Sequence, residues 1–457
     1  MSVVNQSWIN LLPASLRDSL DGRVQLQKIL GNIVWLSLDK LLRLGVGAVV
    51  GVWIARYLGP SQFGLLNYTA AFVVLFSPLS SLGVESILVR DILVEDEARR
   101  RVSLGTAFTM RCVGGLAGGL LACGLIVMLR PGEPLAFFLV AIASAGLLVQ
   151  SFDIIDLWFH SQVKAKFGVY AKNAAFLLMS AVRIVLLISQ ASLIAFAWAI
   201  FAEFALGSAG LVFMYRRTGE HLSRWRAGIR RAAQFLKDSW PLAFANLAVI
   251  LYMRIGQVML GNIMNDREVG IYSVATRIAE MWYFIPMSIA TSVFPSVIKA
   301  KRENHIIYMH RLEAFYCVMS MISMSVAAIT FLFSNAIIRL LFGAEFAEAG
   351  PVLSIYIWAS IPVFLNIATT QFLIAENLTR IALYRTLAGS LANILINIVL
   401  IPKYGTIGAA IATLLSYCVT LFSIAISPNL RSQGSLILRS LNPFWAIRVL
   451  RRTSEGG

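Results

Sequence analysis

The fold of this chain is decided first by residues 30–57, which read LGNIVWLSLDKLLRLGVGAVVGVWIARY. About 20 apolar residues are enough for a helix to cross the roughly 30 Å of hydrocarbon in a bilayer. The run is long enough, yet it contains Asp39, Lys40 and Arg43. A charge at the centre of a membrane helix costs about 2.5–3.5 kcal/mol on the insertion scale, so such charges usually face a partner, water or a substrate. The stretch therefore predicts a membrane-spanning helix with a polar interior face.

The composition of the whole chain agrees with this prediction. Of its 457 residues, 58% are hydrophobic and 14% are charged, and the mean hydropathy is +0.76. A soluble domain of this length carries far more charge, so we expect a polytopic membrane protein. The net charge of +16 would suggest a nucleic-acid partner in a soluble protein. Here the basic residues can be assigned to loops on one side of a membrane, and we expect no nucleic-acid partner.

Twelve apolar runs are separated by glycine, proline and charged residues. They lie near residues 30–57, 64–89, 104–129, 134–157, 168–189, 192–214, 239–262, 270–298, 312–333, 350–374, 380–401 and 404–427. The predicted fold class is therefore all-α, with twelve transmembrane helices. Lysine and arginine number 26 in the tails and even-numbered loops, counting Arg380 at the start of the eleventh run, against four in the odd-numbered loops. Because basic loops remain on the cytoplasmic side, both termini are predicted to be cytoplasmic.

Two halves of the chain resemble each other. FSPLS at 76–80 recurs as FIPMS at 284–288, although chance similarity between apolar helices is an alternative. Two six-helix halves in the same orientation predict two lobes around a central cavity, the architecture of an alternating-access carrier. The predicted organisation is a cytoplasmic segment at 1–29, an N-terminal lobe at 30–214, a basic cytoplasmic linker at 215–238, a C-terminal lobe at 239–427 and a basic cytoplasmic tail at 428–457.

The linker carries seven basic residues, with Trp225, Ile229 and Phe235 among them. This composition is typical of an amphipathic helix lying on anionic headgroups. Anionic phospholipids are therefore an expected partner of the chain.

Ionisable side chains deep inside the predicted spans are the candidate functional residues. Glu203 and Glu280 are the deepest carboxylates, each about 15 Å from an outer helix end at a rise of 1.5 Å per residue. Arg277 precedes Glu280 by three residues, so these two could form a static ion pair along one helix. Together with Asp39, the two glutamates are the candidate coupling or gating carboxylates.

Basic residues outnumber these carboxylates, and the predicted cationic cavity is lined by Lys40, Arg43, Arg111, Arg183, Arg254 and Arg277. Snorkelling to the nearer membrane surface is the alternative for Arg111 and Arg183. Lys172 and Arg385 lie near helix ends, where anchoring at the interface is expected. Because the planar guanidinium gives a phosphate two charge-assisted hydrogen bonds, we expect the cavity to bind an anion, and a diphosphate in particular.

Other chemistries find little support in the sequence. It has no GxxxxGK[ST] phosphate-binding loop, its histidines share no helix face, and its four cysteines lie singly in apolar runs. We therefore expect no cofactor and no metal site. The short outer loops and the absence of paired catalytic groups also argue against a membrane enzyme.

Three segments carry a family resemblance. They read ARYLGPSQFGLLNY at 55–68, GVESILVRD at 83–91 and LIPKYGTIGAAIAT at 400–413. Together they resemble the polysaccharide transport family, whose O-antigen and repeat-unit flippases belong to the multidrug, oligosaccharidyl-lipid and polysaccharide exporter superfamily. The polar first span of that family corresponds here to Asp39, Lys40 and Arg43.

The resemblance implies a flippase that moves undecaprenyl-diphosphate-linked oligosaccharide units from the inner to the outer leaflet of a bacterial cytoplasmic (inner) membrane. Such a flippase serves the synthesis of O-antigen, capsule or exopolysaccharide beside other polysaccharide-assembly membrane proteins. The alternatives are a multidrug or ion antiporter of the same superfamily, the flippase for the peptidoglycan lipid precursor, and a membrane-embedded polysaccharide polymerase or acyltransferase.

Overall fold

The computed structural model shows a chain built from α-helices. It describes residues 24–426 and 430–455, and side chains at residues 42–294, 296–301, 304–426, 430–449 and 451. No β-strand occurs among the described residues. The all-α prediction is therefore confirmed.

The helices are numbered along the described part of the chain. They are α1 (Val24–Val74), α2 (Ser77–Ser81), α3 (Glu85–Val94), α4 (Glu97–Leu129), α5 (Pro134–Val149), α6 (Asp153–Ser161), α7 (Ala165–Ile188), α8 (Leu193–Arg217), α9 (Ile229–Ile263), α10 (Asp266–Met281), α11 (Phe284–Glu303), α12 (His305–Phe342), α13 (Ala349–Tyr356), α14 (Ser360–Ala375), α15 (Thr379–Phe422), α16 (Arg431–Ser440) and α17 (Pro443–Glu455).

Ten stretches of the described helices are long and apolar enough to cross a membrane. Two of them, Leu42–Val94 and Thr379–Ile426, each contain two of the predicted spans. The breaks lie at Gly59, with a φ of 67°, and at Gly405, with a φ of 55°. Glycine adopts positive φ without the steric cost that a side chain brings, so it allows the chain to turn there. The ten stretches thus accommodate the twelve predicted spans.

Helices are also interrupted at equivalent positions of the internal repeat. A two-residue turn separates α1 from α2, and Pro78 lies in the first turn of α2. A two-residue turn likewise separates α10 from α11, and Pro286 lies in the first turn of α11. Proline is tolerated there because the amide N–H that it lacks would have no acceptor within the helix. The repeat seen in the sequence therefore produces the same local structure twice.

Contacts divide the chain into two compact units. Unit 1 comprises Met1–Gly51, Phe76–Cys123 and Ala141–Ala243, and unit 2 comprises Val52–Leu75, Gly124–Val140 and Phe244–Gly457. Each unit has its own buried apolar core among its described residues. The boundaries of these units differ from those of the two sequence halves, and the division into lobes at 30–214 and 239–427 stays a prediction.

Within unit 1, the basic linker packs largely against protein. Trp225 makes edge-to-face contacts with Tyr215 and Phe108, and its Nε1 donates a 3.1 Å hydrogen bond to the Tyr215 hydroxyl. Phe235 is 1% exposed within the core, whereas Ile229 is 91% exposed. Two of the three apolar side chains that were expected to face lipid are thus occupied by protein contacts.

Arg231 fixes the linker further. Its Nη2 lies 2.8 Å from an Asp91 oxygen and 2.5 Å from a Glu95 oxygen, and its Nε donates to the Ser103 hydroxyl at 3.0 Å. Helix α9 then runs unbroken through the predicted boundary between linker and C-terminal lobe. The last part of the linker, from Ile229, is therefore the start of a long helix held to α4 and the C-terminal end of α3.

Candidate anion-binding cavity

Unit 2 contains a cavity of about 460 Å³ between α1, α9 and α10. Its wall includes Arg254, Arg277 and Glu280, three of the side chains that the sequence predicted for the functional site. Its remaining polar lining consists of Asn67, Gln257, Ser273 and Thr276. A volume of this size is typical of small-molecule sites.

Helical spacing places these side chains on the cavity wall. Arg254 and Gln257 are three residues apart on α9, and Ser273, Arg277 and Glu280 follow one another at intervals of four and three residues on α10. Residues with such spacing share one face of a helix. Gln257 also donates a buried 3.2 Å hydrogen bond to the Ser273 hydroxyl, which ties α9 to α10.

The ion pair of this cavity crosses between helices. Nη2 of Arg254 lies 3.3 Å from Oε2 of Glu280, and the two side chains are 32% and 19% exposed. The guanidinium of Arg277 lies 6.0 Å from the centre of the Phe63 ring. The sequence had offered a static pair of Arg277 with Glu280 within α10 as an alternative, and the structure also gives Glu280 a partner on α9.

Unit 1 contains a second cluster of predicted site residues, on α1, α7 and α8. Oε2 of Glu203 lies 2.7 Å from Nη2 of Arg183, and Oε1 lies 3.8 Å from Nη1 of Arg43. The guanidinium of Arg43 also lies over the ring of Phe176, 5.1 Å from its centre. One carboxylate is thus held by two arginines.

Arg111 lies apart from this cluster. Its side chain is 5% exposed, and its Nη1 is 3.5 Å from a Glu85 oxygen. The structure therefore pairs the buried Arg111 on α4 with Glu85 on α3, whose side chain is 52% exposed. Asp39 and Lys40 lie in α1, but their side chains fall outside the described residues, so their roles stay predictions.

Two residues that were expected to anchor at interfaces make contacts with other helices. Nζ of Lys172 lies 2.8 Å from Asp153 and 2.7 Å from Asp156, which joins α7 to α6. Arg385 is 4% exposed, and it donates hydrogen bonds of 2.9 Å to the Thr420 carbonyl and 2.8 Å to Oδ1 of Asn366. Both residues stabilise helix packing inside their units.

Sequence reasoning missed Arg130. The residue lies between α4 and α5, yet only 7% of its side chain is exposed. It contacts Asp266 at 2.8 Å and donates to the Gly261 carbonyl at 2.6 Å. Its position as the sole basic residue of a short predicted outer loop was the available signal.

In the described residues, no group of three or more histidine, cysteine, aspartate or glutamate side chains could hold a metal ion.

Comparison with known proteins gives matches along most of the chain. Residues 29–301 match the model of a family described as polysaccharide biosynthesis protein, and residues 241–399 match the MatE model. The chain is 24% identical over 392 residues to the probable flippase AglR of Haloferax volcanii, covering 83% of this chain and 78% of that protein. It is 27% identical over 169 residues to the probable low-salt glycan biosynthesis flippase Agl15 of the same organism, covering 37% of this chain and 36% of that protein.

Solved structures share the fold. The lipid II flippase MurJ in its inward closed conformation matches with a TM-score of 0.66 and 17% identity, covering 92% of this chain and 95% of that chain. An inward-facing multidrug resistance transporter of the MATE family, from the MOP superfamily, matches with a TM-score of 0.67 and 14% identity, covering 89% and 98%. At these identities the likeness concerns the fold.

The fold, the membrane-spanning helices and the comparisons define a multi-pass transporter of the flippase and exporter type, and not an enzyme. Because one family model covers more than half of the sequence, the chain belongs to the polysaccharide biosynthesis protein family. The resemblance found in the sequence is thereby confirmed.

Proposed function

We propose that this chain flips undecaprenyl-diphosphate-linked glycan units from the inner to the outer leaflet of a bacterial cytoplasmic membrane. The observation that carries the proposal is the cavity of unit 2, where Arg254 and Arg277 share one wall with several hydroxyl and amide side chains. The two named flippases of Haloferax volcanii support the general activity. The bacterial lipid anchor and the use of the glycan in O-antigen, capsule or exopolysaccharide belong to the proposal.

The chemistry of the cavity suits a phosphate ester of a glycan. Guanidinium groups bind phosphate oxygens through paired, charge-assisted hydrogen bonds, which are strengthened where water is largely excluded. Asn67, Gln257 and Thr276 add uncharged hydrogen-bonding groups to the same wall. Sugar hydroxyls require such partners, so one cavity offers groups for both parts of a diphosphate-linked sugar.

The arginines elsewhere have supporting roles in this proposal. Arg43, Arg183 and Arg111, together with Lys40, are the cations of unit 1 that we propose attract an anionic substrate. Arg43 and Arg183 do so beside Glu203, and Arg111 does so beside Glu85. Asp39, Glu203 and Glu280 are the carboxylates available for coupling or gating. Anionic phospholipids and other assembly proteins remain proposed partners.

The membrane potential favours the proposed direction. A diphosphate diester carries two negative charges, and each gains about 2.3 kcal/mol per 100 mV when it leaves a negative-inside cell across the full potential. Outward movement of the headgroup can therefore proceed without a coupled ion. Transport in vesicles that is indifferent to an imposed potential, at fixed pH and salt, would contradict this account.

Alternating access requires contacts that close one side of the transporter and later open. Arg130, Tyr68 and Asp266 join three segments of unit 2 near predicted outer loops. Asn67, next to Tyr68, lines the cavity itself. We assign these contacts within unit 2 to the closure of the outer side, with both termini proposed to lie in the cytoplasm.

A multidrug antiporter is the second candidate, because residues 241–399 match the MatE model and solved MATE transporters share the fold. The cavity argues against it, since cationic drugs need a site with excess carboxylate, whereas Arg254 and Arg277 outnumber Glu280 here. Drug resistance that depends on this gene, with unchanged surface glycan, would favour the antiporter.

The decisive experiment deletes the gene in its bacterium and analyses the lipid-linked glycans. The expected result is loss of surface polysaccharide and accumulation of undecaprenyl-diphosphate glycans that face the cytoplasm. Complementation with Arg254→Gln and Arg277→Gln variants should restore little glycan at normal protein levels. Arg380→Gln, at an exposed position, is the matched control and should complement fully. Normal surface glycan in the deletion strain would exclude the proposed function.

A further inference from the structure

A carboxylate lies among the arginines of the cavity in unit 2. Among the side chains that line this cavity, Glu280 is the acidic residue beside Arg254 and Arg277. A negative charge at this position repels an anionic substrate, so a simple binding role does not account for it. Its contacts suggest a different role.

The contact between Arg254 and Glu280 is long for an ion pair. One hydrogen bond of 3.3 Å joins Nη2 to Oε2, whereas charge-assisted bonds of this kind usually measure about 2.7–2.9 Å. The Tyr356 hydroxyl and the charge of Arg277 also stabilise the Glu280 carboxylate. Glu280 therefore holds Arg254 through one long contact and has other partners nearby.

A phosphate group would be a better partner for the same guanidinium. Phosphate oxygens match the fork of an arginine and accept two parallel hydrogen bonds, which strengthens binding in a partly desolvated site. When Glu280 leaves Arg254, its carboxylate keeps its interaction with the charge of Arg277, which lies three residues earlier on the same face of α10. The replacement of Glu280 by a phosphate on Arg254 therefore leaves the carboxylate next to a cation. The cost of a buried carboxylate without a cation is avoided.

We propose that Glu280 is an internal competitor of the substrate's phosphate groups for Arg254 and thereby sets how tightly the cavity holds a diphosphate. The inference rests on the proposed function, since it concerns the same cavity. By competing for Arg254, Glu280 weakens the binding of the diphosphate and raises its rate of release. A transporter needs this release on the far side of the membrane. It also gives selectivity, because a neutral glycan cannot take the place of the carboxylate on Arg254.

The test measures binding of farnesyl diphosphate, a short isoprenyl diphosphate, to the full-length protein in lipid nanodiscs by calorimetry. Glu280→Gln removes the competing charge and keeps the size of the side chain, so binding should become about 10-fold tighter, within the usual range of coupling between two sites. Glu280→Asp keeps the charge but shortens the reach to Arg254, and its affinity should lie between those of the wild type and Glu280→Gln. Glu97→Gln is the matched control, because Glu97 is 60% exposed and pairs with Arg101 on α4.

The outcomes separate this inference from the proposed function. If Arg254→Gln weakens binding at least 10-fold while Glu280→Gln and Glu280→Asp bind as the wild type does, the competition is excluded and the cavity assignment stands. If Glu280→Gln binds more tightly but Arg254→Gln has no effect, Glu280 acts through another cation and the inference fails. If none of these variants changes binding, the diphosphate lies elsewhere and the proposed function loses its site. Should Glu280→Gln fail to give a monodisperse protein, Glu280→Asp alone decides.

Discussion

The guanidinium of Arg130 lies over the ring of Tyr68, with 3.8 Å between Cζ and the ring centre. The same side chain contacts Asp266 at 2.8 Å and the Gly261 carbonyl at 2.6 Å. Burial acts to lower the pKa of Arg130, but the hydrogen bond and the charge of Asp266 outweigh it and raise the pKa above its ordinary value. Arg130 is therefore a charged bridge between three segments of unit 2.

Replacing this bridge should open the outer contacts. Arg130→Gln leaves Asp266 without its cation and is expected to reduce the free energy of unfolding by about 2 kcal/mol, below the 3–5 kcal/mol of a fully buried pair because Asp266 is 25% exposed. Thermal unfolding of the purified protein measures the loss. The amide oxygen of Asn262 accepts a hydrogen bond from the Tyr68 hydroxyl. In an Asn262→Cys variant, the new thiol should react faster with an impermeant thiol reagent added outside when Arg130→Gln is also present.

Arg267→Gln is the control for this prediction. Arg267 forms an ion pair with Glu348 at 2.8 Å, and the two side chains are 44% and 59% exposed. An exposed pair contributes about 0–1 kcal/mol, so this variant should unfold nearly as the wild type does. Equal losses of unfolding free energy in Arg130→Gln and Arg267→Gln would show that burial does not make the ion pair of Arg130 more stabilising than an exposed one.

The close approach of α1 and α10 predicts intolerance of side chains at two glycines. A Cβ on Gly270 would meet the Pro60 carbonyl, and a Cβ on Gly64 would meet the Asp266 carbonyl. Because backbone atoms cannot move aside as side chains do, Gly270→Ala should cost about 1–3 kcal/mol of unfolding free energy. Gly124→Ala, where nothing lies within 4 Å, should be neutral or stabilising by up to about 1 kcal/mol. Similar melting temperatures for both variants would refute the close packing.

The cluster in unit 1 allows its structural and transport roles to be separated. Arg183→Gln removes the 2.7 Å contact with Glu203 and should lower stability by about 2–3 kcal/mol, because both side chains are mostly buried. The double variant Arg183→Gln/Glu203→Gln removes both charges of this contact and should recover part of that stability, since Arg43 then loses its 3.8 Å contact with Glu203. Glycan export should nevertheless remain low if Arg183 provides positive potential for the substrate. Recovery of both stability and export would leave the pair with a purely structural role.

A pH dependence is expected at the contact between α11, α12 and the turn after α14. Glu376 lies 2.9 Å from Nζ of Lys301 and accepts a 2.8 Å hydrogen bond from the Tyr308 hydroxyl. Burial acts to raise the pKa of Glu376, but these two partners outweigh it and lower the pKa below its usual value. The carboxylate therefore adds stability above its unfolded pKa, and this stability is lost as the pH falls through the folded pKa.

The measurement compares the melting temperatures of the wild type and Glu376→Gln between neutral and acidic pH. At neutral pH the wild type should be more stable by about 1 kcal/mol or less, since a partly exposed pair is screened by solvent. The difference in stability between the wild type and Glu376→Gln should vanish at acidic pH. A difference that persists unchanged below the usual pKa of a glutamate would contradict the assignment.

Local features of the sequence predicted much of the fold. The apolar runs identified the membrane-spanning helices, and Gly59 and Gly405 mark the turns inside two long stretches because glycine adopts positive φ freely. The repeated segments at 76–80 and 284–288 coincide with equivalent interruptions, where Pro78 and Pro286 lie in the first turn of α2 and α11. The candidate cavity was predictable in part, because arginines in apolar helices must face a polar environment.

The sequence by itself thus determined the membrane class, the helical fold and the excess of positive charge, because these depend on composition and on neighbours along the chain. Only the tertiary structure decided which charges meet. Glu280 lies beside Arg277 in sequence but forms its ion pair with Arg254, 26 residues away, and Arg130 reaches Asp266 across 136 residues. Such pairs depend on the rotation of each helix about its axis and on the packing of distant segments, which the periodicity of a single helix does not encode.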